Sequence, residues 1–439
     1  MATNASKAKK GSSGSGKAGK GTGARRTLRI PITNVFDGND YSARILIGSQ
    51  KVAANVILDT GSSTLAVVPS VYNAAKDSDM GVTSLAQQVQ YGTGSWIGPV
   101  VRTSLVLGDP KGDTVALQKA PIAITVVQSR DDFTGVDGIM GLAYLSLNPA
   151  YDLKSYLAQH RISPPVTFPW PFPSSNFDRA WKHFTELLKT PGIEEPSIDP
   201  YFAELEQQGL TLDRFAFYTL RSWVRYATKN QTAIANDPWN NGVFVAGGGE
   251  EETDLYTGKF VNVDVLHDVY YNVDLIAVQV DGSPAVKAAP LQAQFRGAAS
   301  NCIVDTGTNP LVLANDVFQA ILQSLAKLNP KFIALIQQAQ REGISSSLLN
   351  LQEWPGISFI LKGDTGSPVK LTCSPQTYWQ QDYPDPGRSV FQISAVGGGA
   401  DAENQSILGL PLMNNYFTIF DRSLGAGKGI VRFAPIKLP

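Results

Sequence analysis

The residues best suited to chemistry are two aspartates that stand in nearly identical contexts. Residues 56–62 read VILDTGS and residues 302–308 read CIVDTGT, so each stretch places an apolar run directly before Asp-Thr-Gly and a hydroxyl residue. One Asp-Thr-Gly is a weak signal, because turns favour Asp and Gly. Two copies, each following residues typical of a β-strand, indicate two related halves that each contribute one loop.

Two carboxylates held close together share one proton, because like charges at short distance resist joint ionisation. The ionised oxygen can take a proton from water while the protonated partner donates to a carbonyl oxygen, so acid and base are present together. The sequence therefore predicts Asp59 and Asp305 as a catalytic pair. Because such a pair titrates as a unit, the sequence does not say which aspartate is charged.

The neighbours of each aspartate have chemically reasonable supporting roles. The glycine two positions later lets backbone approach the carboxylate closely. The hydroxyl residue after it can hydrogen-bond the carboxylate and favour its ionised form. The threonine directly after each aspartate can tie the two loops together from below. The predicted supporting residues are Thr60, Gly61, Ser62, Thr306, Gly307 and Thr308.

Composition excludes several other kinds of site. Three His and two Cys disfavour a three-His metal site, a His-dependent triad and a four-Cys zinc site, so we expect neither metal nor cofactor. Lys+Arg 37 against Asp+Glu 38 gives a net charge of -1, which provides no general attraction to nucleic acid. There is no apolar run of about 18 residues, so no membrane span is expected.

From Thr27 onward, short apolar runs separated by turn residues predict a mostly β protein. Two segments differ, because apolar residues recur at helical spacing over 176–189 and over 315–341. The second segment should form two helices that are broken at Asn329-Pro330. Residues 164–173 contain too many prolines for a helix or a central strand, and we expect an ordered but irregular segment.

Residues 1–26 form a compositionally distinct tail. The segment has seven basic residues, no acidic residue and many Gly and Ser, which predicts disorder. Binding of this tail to an anionic surface is the alternative interpretation. The tail lacks the apolar stretch of a secretory signal, so a cytoplasmic location is the default, with non-standard export left open.

Taken with other motifs in the same order, the two Asp-Thr-Gly loops resemble the pepsin family of aspartic endopeptidases. The resemblance covers about 27–435, with a gap at 145–197. One motif is similar to the flap hairpin that closes over substrate in this family, and the others to strands that support the catalytic loops or close the fold. These motifs are YGTGSW (91–96), DGIMGLAY (137–144), SILG (406–409), YFTIFDR (416–422) and GIVRFAP (429–435).

The resemblance implies a monomeric, mostly β, bilobal fold with an active-site cleft between two related lobes. The lobes would span 27–258, with an insertion near 145–197, and 259–439. It further implies an aspartic endopeptidase that activates water between its aspartates, has an acidic optimum and binds statine-type (pepstatin-like) inhibitors. An extended polypeptide would bind as an added strand under the flap. The flap residues implied by this resemblance are Tyr91, Gly92 and Thr93.

Some positions depart from the family pattern. Ala66 stands where the family usually has a Trp that packs on the flap tyrosine, so this tyrosine would be held differently, with Trp96 as a candidate. Cys302 and Cys373 lack the usual paired spacing, so two free, buried thiols are expected. The first strand is predicted at 27–32, which indicates a member without a conventional pro-segment, as among bacterial relatives.

Two other interpretations remain open. Ala66 and the insertion allow a catalytically weak or inactive pepsin-fold binding or inhibitor protein, although the intact motifs argue against it. A two-carboxylate glycosidase would give no reason for the duplicated Asp-Thr-Gly. The insertion itself is either a surface excursion or a segment whose aromatic residues cover part of the cleft or bind a partner. These aromatic residues are Phe168, Trp170, Phe172 and Trp181.

Overall fold

The computed structural model describes residues 26–36, 40–92, 94–129, 133, 135–292, 299–397 and 405–439. The predicted tail, apart from Arg26, lies outside these residues, as does the flap residue Thr93.

Strands dominate the first half of the chain, where turn residues interrupt short apolar runs. They are β1 (Leu28–Thr33), β2 (Ser42–Ile47), β3 (Val52–Asp59), β4 (Leu65–Val67), β5 (Gly81–Gln90), β6 (Ser95–Leu107), β7 (Val115–Ile124), β8 (Val127–Gln128), β9 (Gly138–Gly141), β10 (Tyr151–Asp152), β11 (Arg214–Tyr218) and β12 (Asn241–Ala246).

Shorter strands fill the second half. They are β13 (Val261–Asp264), β14 (His267–Asp268), β15 (Tyr271–Val273), β16 (Leu275–Val280), β17 (Val286–Lys287), β18 (Cys302–Val304), β19 (Leu311–Leu313), β20 (Ile344–Ser345), β21 (Ile357–Lys362), β22 (Pro368–Cys373), β23 (Trp379–Gln381), β24 (Arg388–Phe391), β25 (Ile393–Ala395), β26 (Ser406–Leu408), β27 (Tyr416–Asp421) and β28 (Ile430–Pro435).

The three longest helices occur where the apolar residues recur at helical spacing. They are α1 (Lys154–Gln159), α2 (Phe177–Leu187), α3 (Tyr201–Gln207), α4 (Gln231–Ala235), α5 (Asn315–Leu328), α6 (Pro330–Glu342), α7 (Pro375–Tyr378) and α8 (Leu410–Met413). In the described part of the chain, no helix is both long and apolar enough to cross a membrane.

The helix predictions are confirmed, and local capping explains where the helices begin. The side chain of Asn176 accepts a hydrogen bond from the backbone N–H of Arg179, which caps α2. Between α5 and α6, Asn329 has extended backbone and caps the next helix, while Pro330 occupies its first turn. The proline-rich residues 164–173 contain no helix or strand, as expected.

The two halves share one sheet and repeat one motif. In the largest sheet, the order β1-β12-β11-β27-β28-β13 runs from strands of the first half to β13 at the end of the sheet, so this sheet joins the two halves of the chain. In the first half, β9 lies parallel to β3 and antiparallel to β4. In the second half, β26 has the same relation to β18 and β19. The mostly β, bilobal fold class is confirmed, and the lobe boundaries stay a prediction.

Both cysteines are free and buried, as expected from their unusual spacing. Burial raises the pKa of the Cys373 thiol to about 12, so this thiol stays protonated near neutral pH. Cys302 lies at the start of β18, and burial raises the pKa of its thiol as well. Neither thiol therefore has the environment of a nucleophile.

Candidate active site

Each aspartate lies where a buried strand ends. Asp59 is the last residue of β3, and Asp305 directly follows β18. Their side chains are nearly buried, with 6% and 7% exposure respectively. The neighbouring parallel strand holds each loop: Leu142 N–H donates to the Asp59 carbonyl at 2.7 Å, and Asp305 N–H donates to the Leu408 carbonyl at 3.1 Å.

The two loops cross through a reciprocal set of four hydrogen bonds. Thr60 N–H donates to Thr306 Oγ1 at 3.0 Å, and Thr306 N–H donates to Thr60 Oγ1 at 2.9 Å. Each hydroxyl also donates into the opposite strand, from Thr60 to the Val304 carbonyl at 3.2 Å and from Thr306 to the Leu58 carbonyl at 2.7 Å. Because all four bonds are buried, they fix the spacing of the two aspartates.

Glycine is required at both loop tips, because each tip lies against the opposite carboxylate. A Cβ atom on Gly307 would meet Asp59 Oδ1 at 2.4 Å, and one on Gly61 would meet all three Asp305 carboxyl atoms at 2.8 Å. Any side chain there would push the carboxylates apart. The same peptide units donate to their own aspartates, since Gly61 N–H reaches Asp59 Oδ1 at 2.7 Å and Gly307 N–H reaches Asp305 Oδ1 at 2.9 Å.

The hydroxyl residues after the glycines break the symmetry of the site. Thr308 Oγ1 donates to Asp305 Oδ2 at 2.6 Å, as the sequence predicts. The hydroxyl of Ser62 lies close enough to lower the pKa of Asp59. Its Oγ nevertheless has no partner with normal hydrogen-bond geometry among the described residues. Negative charge is therefore better stabilised on Asp305 than on Asp59.

Burial raises the pKa of Asp59 well above the ordinary aspartate value, and the charge of Asp305 raises it further. The carboxyl groups also lie close enough to share a hydrogen bond, which acts in the same direction. Ser62 and the N–H of Gly61 oppose these effects without cancelling them. The arrangement therefore favours one shared proton with Asp59 as its holder.

The flap motif forms the turn between β5 and β6. Tyr91 N–H donates to the Gly94 carbonyl at 2.7 Å, which closes the turn, and Gly92 is exposed at its tip. The Tyr91 ring packs against a buried cluster that contains Trp96 and Ile57, the latter from the strand that carries Asp59. Ala66 belongs to the same cluster, in which Trp96 supplies aromatic bulk.

Sequence reasoning missed a partly buried ion pair behind the first loop. Arg422 is 7% exposed and pairs with Asp213 at 2.6 Å. Its Nη1 also donates to the Ala143 carbonyl at 3.3 Å, while Ala143 N–H donates to the Ser62 carbonyl at 2.8 Å. Tyr271 from the second half donates to the Leu142 carbonyl at 2.9 Å. Arg422 lies in a motif noted in the sequence, but nothing local indicates its partners.

A model of the eukaryotic aspartyl protease family matches residues 40–163 and 234–434, which is most of the chain. The chain belongs to the eukaryotic aspartyl protease family. The resemblance drawn from the motifs is thus confirmed. The match omits residues 164–233, which include most of the insertion and α2.

Curated relatives within this family are distant but extend over nearly the whole chain. Cathepsin D of Dictyostelium discoideum is 23% identical over 406 residues, which cover 89% of this chain and 83% of that protein. Gastricsin of Cavia porcellus is 22% identical, with 87% of this chain and 77% of the relative covered. Pepsin A of Sus scrofa is 26% identical, with 90% and 81% covered. Membership of this family supports a peptide hydrolase that acts on polypeptides.

Proposed function

We propose that the protein is an aspartic endopeptidase in which Asp59 and Asp305 together activate a water molecule that hydrolyses a peptide bond. The observation that carries this proposal is the crossing of the two Asp-Thr-Gly loops. The reciprocal threonine bonds and the glycine contacts hold two nearly buried carboxyl groups against each other. Such a pair supplies an acid and a base at one pH without a metal or a covalent intermediate.

In the proposed reaction, the pair enters with one proton, held by Asp59. Asp305 takes a proton from water as the water oxygen bonds to the scissile carbonyl carbon. Asp59 donates its proton to the carbonyl oxygen, and a tetrahedral diol results. Proton transfer to the amide nitrogen and from a diol hydroxyl then breaks the C–N bond, which leaves a carboxylic acid and an amine. The exchange restores one proton on the pair.

The proposed substrate is a polypeptide in extended conformation, bound between the catalytic loops and the flap. The carbonyls of Gly61 and Gly307 and the flap residues Tyr91, Gly92 and Thr93 would bond its backbone as an added strand. A statine-type inhibitor, whose hydroxyl imitates the diol, would bind the aspartate pair. Both loops come from one chain, so we propose that the active form is a monomer.

An acidic optimum follows from the need for one shared proton. As pH rises through the raised pKa of Asp59, the pair loses the proton that the carbonyl oxygen must receive. Activity should then fall, because two carboxylates supply a base but no acid. The N–H of Gly307 and the hydroxyl of Thr308 donate to the Asp305 carboxylate, which supports its role as the base in this pair.

The decisive experiment incubates the protein with an acid-denatured protein substrate between pH 3 and pH 7, with and without a statine-type inhibitor. We expect cleavage at the acidic end that the inhibitor abolishes. Asp59→Asn and Asp305→Asn, purified in the same way, control for a contaminating protease. If the wild type cleaves nothing but binds the inhibitor, the non-catalytic binding protein is the better interpretation. Cleavage that resists both inhibitor and substitution would refute the mechanism.

A further inference from the structure

The insertion in the first half is an ordered unit that closes on itself. Ala150 N–H donates to the Pro196 carbonyl at 2.8 Å, and Ile198 N–H donates to the Asn148 carbonyl at 2.9 Å, so the segment leaves and returns at one place. Between these points it builds a small apolar core of its own. Its buried members include Leu153, Leu157, Ala180, Phe184 and Leu187.

Part of this core comes from the flap hairpin itself. Ala86 of β5 and Ile97 of β6, both essentially buried, belong to the same cluster as Phe184 and Leu187 of α2. Gln88 lies directly opposite Ile97 in the strand register. Since alternate residues of a strand share one face, Ala86, Gln88 and Ile97 form one face of the hairpin, and this face lies against the insertion.

Gln88 connects this face to α2 by two hydrogen bonds. Its Nε2 donates to Thr185 Oγ1 at 2.9 Å and more weakly to the Trp181 carbonyl at 3.4 Å. The Thr185 hydroxyl donates its own hydrogen to the Trp181 carbonyl at 2.8 Å. An oxygen lone pair of Thr185 is therefore free to accept from Gln88, and the three groups form one connected set.

The opposite face of the same strand is held at the adjacent position. Gln87 is 2% exposed, and its Nε2 donates to Asn148 Oδ1 at 2.8 Å and to the Pro149 carbonyl at 3.0 Å. Further down the strand, Thr167 Oγ1 donates to the Leu85 carbonyl at 2.6 Å. The insertion thus holds β5 along its length and on both faces. Of the hydrogen bonds that the structure shows between the insertion and β5, the one nearest the turn is at Gln88, three residues before Tyr91.

We propose that residues 145–198 clamp the stem of the flap, so that β5 up to Gln88 keeps its position when substrate binds. Gln88 is then a positioning residue that sets how Tyr91 meets the bound peptide, and the clamp influences substrate affinity from outside the cleft. This inference rests on the proposed protease function. It also explains why an insertion that lies mostly outside the family match is so closely packed against the flap.

The kinetic test uses two nearly isosteric substitutions that remove the connection without opening a cavity. Gln88→Leu removes the donor, and Thr185→Val removes the acceptor. We expect each to raise KM for a peptide substrate about 5- to 30-fold, the equivalent of one or two lost hydrogen bonds, with kcat within about twofold. The double variant should add little to either single variant, because both remove the same contact.

The matched control is Lys182→Ala, which changes an exposed residue of the same helix. It should leave KM and kcat as in the wild type. An unchanged KM in both Gln88→Leu and Thr185→Val, or the same rise in Lys182→Ala, would overturn the proposed role in substrate binding.

Amide hydrogen exchange separates failure of the clamp from failure of the protease proposal, because it needs no activity. In the full-length protein, peptides covering residues 86–97 should exchange at least about fivefold faster in Gln88→Leu and Thr185→Val than in the wild type or Lys182→Ala. Unchanged exchange would overturn the clamp whatever the kinetics show. Faster exchange in a protein that cleaves nothing would support the clamp and refute the protease.

Discussion

The Asp59 loop and the Asp305 loop have matching backbones in unequal surroundings. Both end a buried strand, cross through a threonine and place a glycine against the opposite carboxylate. Only the second loop completes its hydroxyl bond, from Thr308. Only the first lies beside the cluster that holds the flap tyrosine. A duplicated motif therefore fixes the distance between two carboxyl groups, while the residues around it give them different surroundings.

The largest expected effect tests what the loops share. Asp59→Asn and Asp305→Asn should each reduce kcat by at least about 10³-fold, because the reaction needs both an acid and a base. Steady-state cleavage of a peptide at acidic pH measures the loss. Thermal unfolding should show that both variants remain folded. If either variant kept a tenth of the activity, the two aspartates would not be acting as a pair.

The crossing threonines test whether the shared geometry is equally supported from both sides. Thr60→Val leaves the Thr306 N–H and the Val304 carbonyl buried without their partner, and Thr306→Val does the same in the first loop. Each substitution should lower the free energy of unfolding by about 2–4 kcal/mol, measured by denaturant titration. A loss in one variant at least three times that in the other would show that the crossing is not reciprocal.

The hydroxyl positions test the asymmetry directly. Thr308→Ala removes a hydrogen bond that orients and stabilises the Asp305 carboxylate, so the proposed base should work less well. We expect a loss of about 10- to 50-fold in kcat/KM at the acidic end. Ser62→Ala removes no well-formed bond, so a change within about threefold is expected. Equal effects of the two substitutions would contradict the asymmetry.

The smallest expected effect is on how the free energy of unfolding depends on pH. Burial and the charge of Asp305 raise the pKa of Asp59 in the folded protein. Protonated Asp59 therefore contributes fully to the free energy of unfolding below its unfolded-state pKa of about 4, and this contribution is lost as pH rises through the folded-state pKa. The free energy of unfolding of the wild type should therefore fall between about pH 4 and pH 7. The free energy of unfolding of Asp59→Asn should fall less over the same range, as measured by urea titration at each pH.

Asp77 is a suitable control for that measurement, since its carboxylate lies outside the site. Hydrogen bonds from Thr103, the Ser49 N–H and Tyr72 outweigh the effect of burial and lower its pKa. The stabilising contribution of the Asp77 carboxylate to the free energy of unfolding is therefore present above about pH 4 and is lost as pH falls. Asp77→Asn should lower stability throughout pH 4 to 7 without changing the slope. An unchanged slope in Asp59→Asn as well would contradict the raised pKa.

The sequence predicted those parts of the site that rest on local patterns. Each Asp-Thr-Gly follows an apolar strand, and two copies already imply the pair. The sequence also predicted the break between α5 and α6, because a capping Asn precedes a Pro that is favoured in the first turn of a helix. The sequence could not show that the Ser62 hydroxyl lacks a well-formed hydrogen bond, because the equivalent hydroxyl of Thr308 does bond its aspartate.

Contacts between distant segments could not be predicted in the same way. Gln88 gives no sign in the sequence that it meets Thr185, since a glutamine in a strand is ordinarily exposed. The sequence does not predict the pairing of Arg422 with Asp213 either, because charged residues have many candidate partners along the chain. Such partners depend on how sheets and helices pack, and no local pattern records that.

The amino-acid sequence by itself determined that this protein is mostly β, carries a duplicated Asp-Thr-Gly loop and belongs with the pepsin-like proteases. Strand periodicity, turn residues and helix caps act over a few neighbours, so they can be recognised without a structure. Only the tertiary structure decided how the surroundings of the two carboxyl groups differ and which residues contact the β5–β6 hairpin. These depend on burial, on charge and on hydrogen bonds a few ångströms long between segments far apart in the chain.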